Sequence, residues 1–553
     1  MMRGILVSVL TMLFVASPIA PFSSGAERDA WTPSVTWRTP DGFYASAAHA
    51  TLLPDGSVLC VGFKRNAEDA SQATEAHRCV FRFRPPPLGL TVPTEIEVPE
   101  HHPPLDADPY VSLPYYVLDD LFCSGQTLLA DGSVLTVGGT RHIIDTVTDA
   151  SATVGMSYAM RYDGASWSRE PQDMLAPGPT GAVGRWYPSC TRLPDGRVLV
   201  IGGYDMVEPT PSFQLSSEIY DPVTGAWQVH APHGTAPAEI SNADYTHAFV
   251  LPTPIGILDV MMFGQQGSPV LTSVEGPFSW LSSGLARPQT EAGTAPNQGA
   301  STVLLPIRVN DGSWGYQNGA VLMTGGGHGT THQQAVDVYD PVVGAWQPRV
   351  NTNIPRHHPS TVLLPDGRVM IAAGHDMAGG DGVKRASFID PRHDMAFSLG
   401  DSMIDEVRGY HTVSLLLPDG RVLVGGGRDT FTYTSAEKTN FRIYSPPYMF
   451  RPRPRITQAP AVMKPNILAV VESKGARPRE VVLVALGSMT HSIDMNQRAV
   501  EVPILSSLPA GDGWVTAVAP PSDPRVAPPG HYMLFVVDRD RTPSQAAIVR
   551  VDT

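Results

Sequence analysis

The hydrophobic and polar positions of the chain repeat one phrase: two or three apolar residues, a Pro-Asp-Gly turn, an apolar strand and then glycines. An Asp-Gly pair between two alternating apolar runs is a strong signal for a β-hairpin. Five clear and two degenerate copies begin at Leu52, Leu128, Arg192, Val250, Leu304, Leu363 and Leu416. Some are followed by a second hairpin pattern that starts with an aromatic residue and ends on a tryptophan, as in YDPVTGAW from Tyr220.

The spacing of these copies predicts the fold class. They recur every ~50 to 75 residues, near the kelch period, and kelch repeats form the blades of β-propellers. The phrase stops after Gly427, and a proline-rich segment from Tyr444 to Arg455 marks a stiff boundary. We therefore predict an all-β protein, with a seven-bladed kelch-type β-propeller at 27–453 and a C-terminal immunoglobulin-like β-sandwich at 454–553.

The amino terminus has the pattern of a secretory signal. Arg3 precedes an apolar run from Ile5 to Ala20, and small residues follow as far as Ala26. An uncleaved anchor helix is the alternative, but the run is shorter than the ~20 residues that a membrane span needs. We expect residues 1–26 to be removed and the protein to be secreted, either periplasmic or extracellular, with no stable membrane span.

Composition and charge narrow the class of protein. The 553 residues include 53 prolines and 51 glycines, which suits many short strands and turns. A net charge of −14 argues against nucleic acid as a partner, because phosphate binding needs a basic face. Four cysteines in an exported protein favour disulfides, and Cys60 with Cys79 is the expected pair. His101 and His102, in a proline-rich excursion, are expected to be solvated.

One position of the repeat carries candidate chemistry. The innermost strands of propeller blades line the central channel, so equivalent positions converge near its axis. The position of interest lies seven residues before the turn proline, or before Ala130 in the second copy. In blade order it is occupied by Ala47, Cys123, Tyr187, Tyr245, Gly299, His358 and His411. Tyr410 precedes His411. Imidazoles with phenols suit copper or iron. The alternative is a channel filled by hydrogen-bonded aromatic residues.

Four segments, in chain order, resemble one enzyme family. They are FCSGQ from Phe122, GRWYPS from Gly184, RGYHTVSLLLPDGRVLVGGG from Arg408 and LGSMTHSIDMNQR from Leu486. They resemble the site segments of the radical-copper oxidases, which include galactose oxidase and glyoxal oxidase. The resemblance implies one copper ion bound by Tyr187, His411 and His491, with Tyr410 as the axial ligand. It also implies a Cys123–Tyr187 thioether, whose tyrosine carries a stable radical.

The resemblance implies an activity as well. Small aldehydes, as hydrates, or primary alcohols would be oxidised by O2 with release of H2O2, by a protein that acts as a monomer. Tyr410 would accept the hydroxyl proton of the substrate, and the Tyr187 radical would abstract a hydrogen atom from its carbon. His358 and Tyr245 are candidates for orienting ligands or substrate from outside the metal's ligand set.

Two departures from galactose oxidase bring the chain nearer to glyoxal oxidase. The tryptophan that stacks on the cross-linked tyrosine is replaced by Tyr204 and Asp205, so Trp186 or Trp280 would take its place. No carbohydrate-binding domain is expected ahead of the first blade. Three alternatives stay open: a Cys123–Cys190 disulfide, a secreted glycan-binding or protein-binding module without catalysis, and an oxidase of primary alcohols on polysaccharides.

Overall fold

The all-β prediction is confirmed. The computed structural model describes residues 29–67, 76–88, 96–97, 115–145, 151–208, 210–231, 245–264, 269–274, 280–282, 286–288, 297–308, 319–328, 331–347, 350–376, 381–403, 406–429 and 437–552. In these ranges helix is confined to the short 3-10 turns Asp381–Lys384 and Pro447–Phe450. The predicted signal segment and the pair His101 and His102 lie outside the described residues. No helix in the described ranges is long and apolar enough to cross a membrane.

Each copy of the repeat forms the first two strands of its own antiparallel sheet. Repeat sheet 1 contains Tyr44–Leu52, Val58–Arg65, Ala76–Phe83 and Ile96–Glu97. Repeat sheet 2 contains Gly125–Leu128, Val134–Val137, Ala159–Tyr162 and Trp167–Arg169. Repeat sheet 3 contains Ser189–Arg192, Val198–Ile201, Ser217–Asp221 and Ala226–Ala231. Repeat sheet 4 contains His247–Ile255, Leu258–Phe263, Pro269–Thr272 and Trp280–Ser282. Repeat sheet 5 contains Ala300–Leu304, Val321–Gly325, Ala335–Asp340, Ala345–Trp346 and Val350–Asn351. Repeat sheet 6 contains His357–Leu363, Val369–His375, Arg385–Asp390 and Ala396–Ser402. Repeat sheet 7 contains Thr412–Leu416, Val422–Gly426, Asn440–Ser445, Ala30–Trp31 and Val35–Thr36.

The turn chemistry of the phrase explains these hairpins. In the five clear copies the turn aspartate accepts a hydrogen bond from the backbone N–H two residues later, over 3.0 to 3.1 Å. The glycine after it has φ between 81° and 92°, which a side chain would disfavour. The outer hairpins follow the pattern predicted for them, with Tyr220 opposite Trp227 and their rings 5.0 Å apart.

The first strands of the repeat sheets pack side by side. The strand Tyr44–Leu52 contacts the first strands of repeat sheets 2 and 7, and Ser189–Arg192 contacts those of sheets 2 and 4. The strand His357–Leu363 contacts those of sheets 5 and 7. At the amino-terminal end, Ala30–Trp31 pairs with Asn440–Ser445 and so extends repeat sheet 7. A closed ring of seven blades stays a prediction that these contacts support.

Residues after the proline-rich segment form two further sheets. One contains Arg455–Gln458, Ala469–Lys474, Gly513–Val518 and Ile504–Ala510. The other contains Ala499–Val502, Glu480–Ala485, Gly530–Val537, Ala547–Val551 and Val462–Met463, joined in parallel by Ile307–Arg308. Because Ile307–Arg308 lies in the enlarged turn of repeat sheet 5, the carboxy-terminal sheet and the repeat region share one apolar core.

Two smaller groups of strands complete the described structure. An outer sheet contains Tyr115–Asp120, Thr140–Asp145, Ser151–Gly155, Tyr204–Glu208 and Ser212–Phe213. A short hairpin joins Gly327–His328 to Thr331–His332. Ser488–Thr490 and Ile493–Asp494 leave the carboxy-terminal sheets and extend repeat sheet 1, where Thr490 lies opposite His49. This excursion carries His491 into the repeat region.

The expected Cys60–Cys79 disulfide is wrong. The four cysteines, each within the described ranges, form no disulfide with one another, so the alternative Cys123–Cys190 bridge is not formed either. The strand register gives the reason, because Cys79 lies opposite Gly62 while Cys60 lies opposite Phe81. Diagonal neighbours of this kind are ~7 to 8 Å apart, beyond the reach of a disulfide. Burial raises the pKa of the Cys79 thiol to about 12, so it stays protonated.

Candidate metal centre

The repeat position singled out in the sequence has an unusual backbone conformation. Cys123, Tyr187, His358 and His411 all have φ between 53° and 70°, and Gly299 at the same position has φ of 62°. Residues other than glycine seldom adopt this left-handed region, and they keep it only where the surrounding structure holds them there. Since these residues share one backbone conformation on neighbouring sheets, their side chains leave the strands in equivalent directions.

The sequence-predicted residues come together. The backbone N–H of Tyr187 donates to the Cys123 carbonyl oxygen over 2.9 Å, and the hydroxyl groups of Tyr187 and Tyr410 are hydrogen-bonded to each other. The Tyr410 and His411 rings are 4.0 Å apart, and the His411 and His491 rings are 4.5 Å apart. All five side chains are buried. They form one cluster, called here the phenol–imidazole cluster: Cys123, Tyr187, Tyr410, His411 and His491.

Glu437 orients the His411 ring. Its Oε1 lies 2.5 Å from His411 Nδ1, and the same carboxylate accepts a hydrogen bond from Arg428 Nε. With Nδ1 donating to a carboxylate, the lone pair of the neutral ring is on Nε2. His411 Nε2 is buried and has no hydrogen-bond partner among the described residues. A buried acceptor left in this state is what a metal ligand requires.

His491 has a similar arrangement on its own loop. Its Nδ1 lies 2.6 Å from Thr490 Oγ1, and that hydroxyl donates to the Ala48 carbonyl oxygen over 3.0 Å. Its Nε2 lies 4.0 Å from Cys123 Sγ. The Cys123 sulfur and one ring nitrogen each of His411 and His491 lie within 4.8 Å of one another. The two imidazoles can therefore share one ion.

The electrostatics favour neutral imidazoles, the form that binds metals. Burial lowers the pKa of His411. Burial and the neighbouring His411, His49 and His358 hold the pKa of His491 well below its ordinary value. Burial alone would raise the pKa of Glu437, but its contacts with His411 and Arg428 outweigh burial and lower it. Two neutral nitrogens and two phenol oxygens form a donor set that suits copper.

Both predicted outer residues contact the cluster. Tyr245 lies edge-on to Tyr187, with ring centroids 5.0 Å apart, and its hydroxyl donates to the Ser124 carbonyl oxygen. The His358 ring is 4.9 Å from that of Tyr410. They are thus placed to orient ligands or substrate.

Trp186 is the nearer of the two tryptophans considered as the stacking residue. Its ring centroid lies 4.2 Å from that of Tyr187, with the planes tilted by 55°. Tyr204 is farther from Tyr187, at 6.5 Å, and Trp280 instead lies 6.5 Å from His230. Trp186 therefore covers Tyr187 from the residue directly before it.

Known proteins that are similar to this chain include oxidases of the family that its sequence motifs resemble. The family described as Galactose oxidase-like, Early set domain matches residues 453–551. Galactose oxidase of Gibberella zeae is 26% identical over 78% of the chain, and Aldehyde oxidase GLOX1 of Arabidopsis thaliana is 26% identical over 77%. The chain is thus similar to radical-copper oxidases over most of its length. Aldehyde oxidase GLOX of Vitis pseudoreticulata is 27% identical over 77% of the chain and 81% of that protein.

The extent of these matches differs among the relatives. The match spans 61% of the length of the Gibberella galactose oxidase and 70% of the Arabidopsis protein. A solved structure titled "Novel fungal alcohol oxidase with catalytic diversity among the AA5 family, in complex with copper" has a TM-score of 0.68 and 18% identity. It covers 95% of this chain and is itself covered in full, which shows a common fold.

His49 is a residue of the candidate metal centre that the sequence analysis missed. Its Nε2 accepts a hydrogen bond from the Cys123 backbone N–H over 3.0 Å, and its ring lies 5.7 Å from that of His491. Burial, with His411 and Arg78, lowers its pKa to about 3. The repeat count gave Ala47, but the register shifts between Ala47 and His49. A lone histidine in a strand of small residues was the available signal.

A set of buried arginines was missed as well. Arg185, Arg356 and Arg408 stand two residues before Tyr187, His358 and Tyr410. Arg185 donates to the Gly202 and Ser216 carbonyl oxygens, and the other two make equivalent bonds within their own sheets. Each guanidinium thus ties three strands together directly behind a site residue. An arginine nine or ten residues before the turn proline was the sequence signal for them.

Proposed function

We propose that this chain is a copper radical oxidase that oxidises small aldehydes, as their hydrates, or primary alcohols with O2, in the manner of glyoxal oxidase. The observation that carries the proposal is the buried, unpartnered Nε2 of His411 beside His491 and the two hydrogen-bonded phenols. A merely packed channel would leave no reason to bury an imidazole acceptor without a partner among the described residues.

The residues of the phenol–imidazole cluster have different proposed roles in metal binding and proton transfer. Tyr187, Tyr410, His411 and His491 would hold copper. Glu437 and Thr490 keep both imidazoles in the Nδ1–H form. When bound, copper supplies a one-electron acceptor beside Tyr187. Tyr410, hydrogen-bonded to Tyr187, takes the hydroxyl proton of the substrate at its phenol oxygen.

Cys123 is proposed to be bonded to Tyr187. The new bond joins Sγ to a ring carbon beside the hydroxyl, and its formation removes two protons and two electrons, which O2 takes up as H2O2. The adjacency of the two backbones, joined by the 2.9 Å hydrogen bond, supports the pairing. Sulfur substitution spreads an unpaired electron over a larger group and stabilises the tyrosyl radical. Trp186 covers the same ring and shields it from water.

The overall reaction transfers two electrons. An alcohol RCH2OH and O2 give RCHO and H2O2, and an aldehyde hydrate RCH(OH)2 and O2 give RCOOH and H2O2. Two of the relatives are named aldehyde oxidases. The match with this chain spans 70% and 81% of their lengths, compared with 61% of the galactose oxidase. A panel of glyoxal, methylglyoxal, glycolaldehyde and galactose, with a polysaccharide bearing primary alcohols, assayed for H2O2, tests the preference for small aldehydes.

The proposed architecture is a seven-bladed propeller at residues 27–453 and a sandwich at 454–553, after a signal segment at 1–26 for secretion. His491, on the loop between Ser488–Thr490 and Ile493–Asp494, is the ligand that the sandwich donates. Because His491 meets residues of sheets 2, 3 and 7, the site requires both domains.

One experiment tests the assignment as a whole. Purified protein loaded with Cu2+ and oxidised should contain one copper at the phenol–imidazole cluster, show the visible absorption of a copper-coupled tyrosyl radical, and release H2O2 from glyoxal. The His491→Ala variant is the matched control and should lose all three properties. A secreted binding module without catalysis would show no radical absorption and no peroxide, and that result would refute the proposal.

A further inference from the structure

Three histidines outside the phenol–imidazole cluster meet at the junction of repeat sheets 5 and 6. His332 ends the short hairpin strand Thr331–His332. His357 and His375 lie directly opposite each other on the first two strands of repeat sheet 6. These three residues are named the tri-histidine cluster. They come from three separate strands, so only the tertiary structure brings them together.

Their rings are close enough to share an ion. The His332 and His357 rings are stacked with centroids 5.0 Å apart, and His375 lies 5.1 Å from His357 and 5.4 Å from His332. One ring nitrogen of each lies within 4.8 Å of the other two. Nitrogens sharing a tetrahedral ion at bonds of about 2.0 to 2.1 Å are ~3.4 Å apart, which a small rotation of the side chains achieves.

The three side chains are also too deeply buried to act as surface histidines. They are 4%, 6% and 2% exposed for His332, His357 and His375 respectively. His375 Nδ1 is buried without a hydrogen-bond partner in the part of the chain that the structure describes. A buried polar nitrogen in this state costs free energy unless something outside the protein satisfies it.

The charge state of the cluster fits a metal ion. Burial, with His358 and His332, lowers the pKa of His375 to about 3, and burial with three histidine neighbours holds that of His357 well below its ordinary value. Their imidazoles are therefore neutral, the form that binds metals. Asp376 Oδ1 lies 4.0 Å from His332 Nδ1 and so places a negative charge beside the cluster.

We propose that His332, His357 and His375 form a second metal site, for one divalent zinc or copper ion. Three histidines are an established ligand set for both metals. This site shares no residue with the copper site proposed above, and it does not depend on the oxidase function. It would tie the hairpin that carries His332 to repeat sheet 6.

The second site lies next to the first. His358 follows His357, and its ring is 5.9 Å from that of His375 and 4.9 Å from that of Tyr410. An ion at the tri-histidine cluster would fix the strand that places His358 against Tyr410. The two sites therefore adjoin through a single histidine.

The experiment separates the two sites by mutation. Metal-free full-length protein is titrated with Zn2+ and, separately, with Co2+, and bound metal is counted by native mass spectrometry. We expect two equivalents in the unaltered chain, one in the His411→Ala/His491→Ala variant, and none when His375→Ala is added. His230→Ala, a partly buried histidine of repeat sheet 3, is the matched control and should keep both equivalents.

Two further readouts keep the result decisive. Co2+ in the His411→Ala/His491→Ala variant should show the visible bands of a cobalt–imidazole site, and circular dichroism should show that each variant is folded. A folded His411→Ala/His491→Ala variant that binds no metal, or one whose remaining equivalent survives His375→Ala, overturns the second site. Absence of oxidase activity in the copper-loaded unaltered chain, when the Zn2+ titration still gives two equivalents, would refute the proposed function and leave this site standing.

Discussion

Oε1 of Glu437 lies 2.5 Å from Nδ1 of His411, inside the protein and beside the Arg428 guanidinium. This contact decides which nitrogen of His411 faces the phenols, because a carboxylate accepts the Nδ1–H and leaves Nε2 as the lone-pair atom. The ligand is thus prepared by a residue that lies 26 positions later in the chain.

The first prediction concerns Glu437. Replacement by Gln keeps the size of the side chain but removes the charge, so His411 loses the partner that orients it. Copper affinity should fall by ~10 to 100-fold, as is typical for loss of such a partner. Competition with a chelator of known affinity measures the change. Glu170→Gln, which alters a buried carboxylate hydrogen-bonded to Tyr220, should leave copper affinity unchanged. Equal affinity in both variants would contradict the role of Glu437.

The second prediction concerns Cys123. The Cys123→Ser variant should fold and bind copper but lack the thioether, so its intact mass should show no loss of two hydrogen atoms and its radical absorption should disappear. Cys190 offers a matched control, since it is a buried thiol three residues from Tyr187 in the chain. Cys190→Ser should keep the cross-link. Unchanged turnover in Cys123→Ser would refute the assignment.

The third prediction concerns the arginine behind Tyr187. Arg185 Nη2 lies 2.9 Å from Glu218 Oε2, and both side chains are fully buried. Arg185→Met leaves the Glu218 carboxylate buried without its charge partner, which should lower the free energy of unfolding by about 3 to 5 kcal/mol. Urea unfolding at neutral pH measures it. Arg197→Met breaks the exposed pair with Asp195 and should cost less than about 1 kcal/mol. Similar losses in the two variants would contradict this ranking.

The fourth prediction concerns pH. His49 has its pKa lowered to about 3 by burial, with His411 and Arg78, whereas a histidine in the unfolded chain titrates near 6.5. Below about pH 6.5 the unfolded state therefore binds a proton that the folded state does not, and the free energy of unfolding falls as pH drops toward 3. Each such histidine contributes up to ~1.4 kcal/mol per pH unit.

Urea unfolding of the metal-free protein from pH 7.5 to 4.5 tests this dependence. The His49→Phe variant should show a shallower fall of unfolding free energy with decreasing pH than the unaltered chain. Ser46→Ala, a buried replacement on the same strand that changes no titrating group, should shift the curve without changing its slope. Parallel curves for His49→Phe and the unaltered chain would show that His49 does not titrate as described.

Much of the site followed from the repeat. The position seven residues before the turn correctly brought Cys123, Tyr187 and His411 together, since repeated strands with equal turns place equivalent residues at equal heights. The shared left-handed φ at this position is the physical basis of that success. Counting gave Ala47 in the first copy and passed over His49, which follows a register irregularity in the first strand.

Contacts between distant segments were harder to predict. Glu437 and the tri-histidine cluster carry no periodic signal. The expected Cys60–Cys79 bridge does not form because the two cysteines are offset by two residues in the strand register. His491 was found only through the resemblance of its loop to the radical-copper oxidases. In this structure a strand pairing between Ser488–Thr490 and Tyr44–Leu52 positions it.

The sequence by itself determined the all-β class, the hairpin of each repeat and the side chains offered at one level of the sheets. These depend on neighbours within about ten residues, where turn chemistry and strand alternation act directly. Only the tertiary structure decided which imidazole nitrogen faces the phenols, that Cys60 and Cys79 form no disulfide, and where three further histidines meet. Those outcomes depend on the register and packing between strands far apart in the chain, which no local pattern encodes.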